Sequence, residues 1–138
     1  MEKSQMSSGY FGNCNFEKIF DEKVPKRINI ESIKYDIEGF RVILKEEDCV
    51  DAKRVKLTFE DFEYYTVSPN IPDRSIDLFE SSKWPFYVSN DSALIRKYHH
   101  ETFNLYDEQP IKHYVLISVD DETIEVLSQC EPIFTLLP

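Results

Sequence analysis

Three kinds of residue in this chain could do chemistry: histidines, cysteines and clustered carboxylates. The histidines are His99, His100 and His113. Adjacent histidines on a helix point about 100° apart, so His99 and His100 cannot share one metal ion unaided. The HExxH spacing, with two histidines one turn apart around a glutamate, does not occur. His99 and His113 with a nearby carboxylate could serve as a base or hold a small ligand. The simpler reading of the same residues is a solvent-facing helix histidine and a hydrogen-bonded sheet histidine. Cys14, Cys49 and Cys130 are odd in number, widely spaced and outside any CxxC pair. That suits free thiols in a reducing compartment, not a disulfide framework or a zinc knuckle. No GxSxG, GxxxxGK[ST] or GxGxxG motif is present, so the common serine elbow and phosphate cradles are missing. The sequence therefore assigns no catalytic residue, no metal ligand and no cofactor.

Carboxylates are abundant. Lys and Arg number 16 against 26 Asp and Glu, a net charge of −10 on 138 residues. Nucleic acid is not the expected ligand, because phosphate binding needs clustered Lys and Arg. The acids gather at Glu46/Glu47/Asp48/Asp51, at Glu60/Asp61/Glu63 and at Asp120/Asp121/Glu122. None forms a DxDxDG calcium loop, and a charge run is commonly a solvated loop or strand edge. The middle cluster differs, because aromatics thread it: Phe59-Glu60-Asp61-Phe62-Glu63-Tyr64-Tyr65. Acids beside aromatics suit capture of a basic protein, since charge speeds encounter and rings supply buried anchors. Glu60, Asp61, Glu63, Tyr64 and Tyr65 are the candidate partner-binding residues, with Asp120 and Asp121 as a second patch.

The elements that must position these residues follow from periodicity. Phe16, Ile19 and Phe20 have helical spacing, which predicts a short helical turn ended by Pro25. Residues 27–37 read as a strand whose parity slips near Glu31–Ser32, the mark of a bulge. Glu38-Gly39 is a turn signal. Strand 40–45 should pair with 54–60 as an antiparallel hairpin. Parity slips again near Glu60–Asp61, which predicts a bulge or two strands. Residues 68–83 look irregular. Trp84-Pro85-Phe86-Tyr87 begins an extended run that forms core or a groove wall. Asn90 or Asp91 should cap a helix that buries Leu94, Ile95 and Tyr98 and fades at 101–104. Residues 111–119 carry apolar side chains on both faces, as a central strand does, and place His113 among them. Thr123 to Ser128 should return as its hairpin partner, and 133–137 reads as a last short strand or an apolar tail. The expected fold is α+β: a mostly antiparallel twisted sheet with one or two helices packed on it. It occupies one domain over 10–138 behind a flexible N-terminus at 1–9. No apolar run approaches the roughly 18 residues that cross a bilayer. Together with the polar start and unpaired cysteines, this predicts a cytoplasmic protein without a membrane partner.

The C-terminal half also resembles a known group. Its marks are the aromatic run Trp84–Val88, the helix with Leu94 and Tyr98, Lys112-His113-Tyr114, Ile124-Glu125-Val126-Leu127-Ser128 and Glu131-Pro132. In these it resembles small acidic bacterial proteins of unassigned activity, similar to the immunity proteins that accompany polymorphic toxins. The resemblance implies a non-enzymatic protein that neutralises a cognate basic toxin domain. Two other readings remain: an enzyme or small-molecule binder using His and carboxylate groups, and a structural or regulatory homo-oligomeric subunit.

Overall fold

A computed structural model describes residues 16–20, 25–47, 52–69, 84–102, 110–120 and 122–137. The expected flexible segment 1–9, Cys14, Cys49, Asp121 and most of the irregular stretch 68–83 lie outside them. Nine strands and one helix are described: β1 (Glu17–Lys18), β2 (Ile28–Asp36), β3 (Gly39–Glu46), β4 (Arg54–Phe59), β5 (Tyr64–Ser68), β6 (Phe86–Ser89), α1 (Ala93–Glu101), β7 (Lys112–Ile117), β8 (Thr123–Ser128) and β9 (Ile133–Leu137). Every described strand pair is antiparallel. The α+β class is thus as expected, with a helix on a sheet.

The strands form two sheets where one was expected. The five-stranded sheet runs β1-β6-β7-β8-β5 and the four-stranded sheet β2-β3-β4-β9. The parity slip at Glu60–Asp61 marks the chain leaving β4 in one sheet and entering β5 in the other. The slip near Glu31 is a register shift between Ile30 and Ser32 against β3. The β3–β4 and β7–β8 hairpins pair as their alternation predicted, and β7 is central.

The two sheets share one core. Phe40, Val42, Leu44, Leu57 and Phe59 meet Phe86, Tyr114, Leu116, Ile124 and Val126 in one buried cluster. Full burial of each such side chain contributes roughly 1.5–3 kcal/mol. The other face of the larger sheet carries α1, whose Leu94 and Ile95 pack on Ile111 and Leu127. Trp84 belongs to the core, and its indole N–H donates to the Ile19 carbonyl at 3.0 Å.

Two local expectations need correction. Residues 17–18 are a strand paired with β6, not a helical turn; the β6 edge offers that backbone a hydrogen-bonding partner, which an isolated turn lacks. The helix cap is Ser92, not Asn90 or Asp91: its side chain accepts from the Ile95 N–H at 3.2 Å. Gly39 is required where it stands, at φ 112°, because a Cβ there would lie 2.5 Å from the Phe59 carbonyl oxygen.

Candidate functional site

Among the described residues, three places hold polar groups in a defined setting. The first is buried between α1 and the larger sheet. His113 on β7 meets Ser92 Oγ through Nδ1 at 2.8 Å and Glu125 Oε1 through Nε2 at 2.9 Å. Ser92, His113 and Glu125 are 0%, 0% and 1% exposed, and the Phe16 ring stands edge-on to His113 with centroids 5.2 Å apart. Register explains the meeting. His113 lies opposite Leu127 and Glu125 opposite Val115, so the two are diagonal neighbours on one face of the sheet. Ser92 is delivered by the start of α1. This Ser–His–Glu string has the residue types of a nucleophile, a base and an orienting acid. Its serine, however, is enclosed and already caps the helix. The string ties the N-terminus of α1 to β7 and β8 and satisfies buried polar groups that would otherwise be costly. Neither cavity described below is lined by His113, and no described hydrogen bond joins it to His99.

The second place is a cleft of about 240 Å³ beside β6 and β7, with Phe20, Val88 and Pro132 as apolar wall and Lys112, Tyr114 and Glu131 as polar groups. Burial, reinforced by the nearby Glu131 and Cys130, pushes the Tyr114 hydroxyl up to about 12. Deeper between the sheets a narrow apolar gap of about 10 Å³ runs under Phe20, too tight for more than about one water. Among the described residues no group of His, Cys, Asp and Glu gathers closely enough to hold a metal ion. Cys130 is exposed and free.

The third place contains the acids and tyrosines singled out by sequence. Glu60 and Asp61 are exposed and Glu63 is half-buried, in the loop that carries the chain between sheets. The loop is pinned. Ser128 Oγ donates to the Asp61 carbonyl, Glu63 N–H donates to the Leu127 carbonyl at 2.8 Å, and Gln129 Nε2 donates to Glu63 Oε2 at 3.2 Å. Tyr64 and Tyr65 follow on β5, an edge strand. They do not share a face. Tyr64 lies opposite Leu127, which packs on α1, whereas Tyr65 lies opposite Val126, which packs between the sheets.

Tyr65 therefore joins an aromatic cluster across the gap between sheets. Its ring centroid is 4.5 Å from Phe40, 5.5 Å from Phe62 and 6.1 Å from Tyr35. Tyr35 sits at 5.2 Å from Phe62 and is 63% exposed. Sequence reasoning missed Tyr35, because nothing in the order of residues places the end of β2 beside β5. The second acidic patch does not merge with the first. Asp120 is exposed in the β7–β8 turn, where Ser118 Oγ accepts from the N–H groups of Asp120 and Glu122, both at 3.2 Å. That turn abuts Ser68, which pairs with Thr123. The acids thus stand beyond the two ends of β5, about 20 Å apart along the strand. Asp121 lies outside the described residues.

No family model, curated protein or solved structure matches the chain. Among the described residues, no helix is long and apolar enough to cross a membrane.

Proposed function

We propose that this is a protein-binding protein of the immunity type, acting in the cytoplasm. It engages a basic protein partner such as a toxin domain and covers its working surface. The observation that carries the reading is the aromatic cluster Tyr35–Phe62–Tyr65, left part-exposed at the sheet edge beside Glu60, Asp61 and Glu63. Rings partly held by Phe40 are rigid anchors that lose little entropy on binding, and the adjacent acids steer a basic partner. Charge without rings would be explained by solvation, and rings without charge by crowding of the core.

The test is co-expression with a basic toxin domain encoded in a neighbouring reading frame, followed by stopped-flow association with the purified domain. The chain should restore growth. An Asp61→Lys/Glu63→Lys variant should associate about tenfold slower or more at low salt, with a flatter salt dependence. Unchanged association kinetics would remove the acidic loop from the interface.

A further inference from the structure

The four edge strands of the two sheets are not alike. β1 is only two residues long, Glu17 and Lys18. β2 carries a register break at Ile30/Ser32 and charged side chains at Glu31, Lys34 and Asp36. Short length, bulges and charges are the ordinary ways of keeping an edge from pairing with another chain. β9 is unblunted but has no charged side chain to select a partner. β5, Tyr64-Tyr65-Thr66-Val67-Ser68, has no bulge, no proline and no lysine. It does have acids at both ends.

The direction of its backbone can be worked out. The Leu127 carbonyl accepts from Glu63 N–H, so Leu127 turns its peptide groups toward β5. Alternation then turns Glu125 and Thr123 the same way, onto Thr66 and Ser68. Tyr65 and Val67 consequently point their N–H and C=O groups outward. Among the described residues nothing pairs with them. Their side chains are 37% and 39% exposed, and Tyr35 overhangs the same edge at 6.1 Å from Tyr65.

We infer that β5 receives an extended basic segment of the partner as an added strand, an inference that rests on the reading of this acidic edge as the partner surface. Main-chain bonds to Tyr65 and Val67 would supply affinity. Apolar side chains on one face of the segment cover Tyr35 and Tyr65. Lys or Arg at its two ends meet Glu60, Asp61 and Glu63 on one side and Asp120 and Glu122 on the other. The charges also select against a second copy of this chain. Antiparallel pairing of β5 with itself brings the Glu60–Glu63 end of one copy to the Asp120/Glu122 end of the other. Parallel pairing sets like patches side by side. Both oppose acid to acid, which disfavours association.

The experiment uses the full chain and a synthetic acetylated peptide of alternating Lys and Val as probe, followed by amide exchange and titration. The peptide should slow exchange at Tyr65 and Val67 and leave Thr66, already bonded to β8, unchanged. Val67→Pro removes only an outward N–H, a substitution that edge strands accept, and should weaken peptide binding about tenfold or more. The exchange measurement on the unsubstituted chain stands whether or not that variant folds. Absence of peptide binding, or binding that leaves Tyr65 and Val67 exchange unchanged, overturns strand addition. If binding falls on Asp61→Lys/Glu63→Lys but not on Val67→Pro, strand addition is overturned while the acidic partner surface survives. Loss on Val67→Pro with no loss on charge reversal leaves the strand and removes the charge reading.

Discussion

Ser92, His113 and Glu125 are joined to one another and closed off from solvent, whereas Glu60 and Asp61 are open to it and Glu63 only half-covered. The first group has every residue type that catalysis favours. Its hydrogen bonds are used up internally, with Ser92 serving two partners at once. The second has carboxylates but no histidine or cysteine, and it combines negative charge, partly packed rings and strand backbone that pairs with nothing among the described residues. Residue type alone therefore does not separate the two regions. What separates the two is whether a polar group's bonding capacity is spent inside the fold or left facing outward.

The largest expected effect breaks the buried region. Glu125→Leu leaves the Nε2 of His113 without its carboxyl partner in an enclosed site and should cost about 1–3 kcal/mol. Adding His113→Leu removes the orphaned group as well, so the double variant should lose far less than the two single losses together. Urea unfolding of the two single variants and the double one measures this directly. If Glu125→Leu proves nearly neutral, the string is not an architectural tie, and the contrast with the exposed edge loses its basis.

Tyr114 lies between these extremes, because it is buried but faces the cleft beside Glu131. A smaller effect is expected there, and it has a definite sign. The folded state keeps the hydroxyl protonated up to about 12, against 10.0 for the ordinary group. The unfolded chain therefore loses its proton first as pH rises. Stability from this group is complete below about pH 10 and is lost as pH climbs toward 12. Tyr114→Phe should make the alkaline fall in stability shallower over that window and leave it unchanged below it. Equal alkaline slopes for the two proteins would show that the hydroxyl is freely solvated.

Alternation exposed β3 and β4, which each bury one face, while β7 and β8, buried on both faces, stood out as apolar runs. The slips at Glu31–Ser32 and Glu60–Asp61 were legible for the same reason: a period of two cannot absorb an extra residue silently. Other features had no local signal. Two residues cannot display a period, so β1 was invisible. Asn90, Asp91 and Ser92 are all good caps, and only the reach of His113 to Ser92 distinguishes the last. The division into two sheets depends on β9 returning to β4, a pairing across more than seventy residues. Half of the candidate edge was legible, since Glu60 to Tyr65 are contiguous. Tyr35 was not, whereas the separation of Tyr64 from Tyr65 onto opposite faces follows from the alternation of a strand. Glu125 did leave a trace, as a lone acid between Ile124 and Val126 in an otherwise uncharged strand. A buried carboxyl there needs a hydrogen-bonding partner, and His113 is within diagonal reach.

The smallest expected change sharpens the contrast from the other side. Asp61→Lys/Glu63→Lys, the variant that should slow association with a basic partner, should shift folding stability by no more than about 0.5 kcal/mol. Asp61 is held through its backbone carbonyl, and the side-chain contact of Glu63 with Gln129 is exposed. Exposed contacts of that kind contribute little, and replacing two of many like charges relieves some repulsion. Urea unfolding of the same preparation used for association separates the two effects. A loss above about 1 kcal/mol would place the acidic loop with Ser92, His113 and Glu125 as a part of the architecture. Near-unchanged stability with slowed association would assign its charge to recognition, because the fold would then have no use for it.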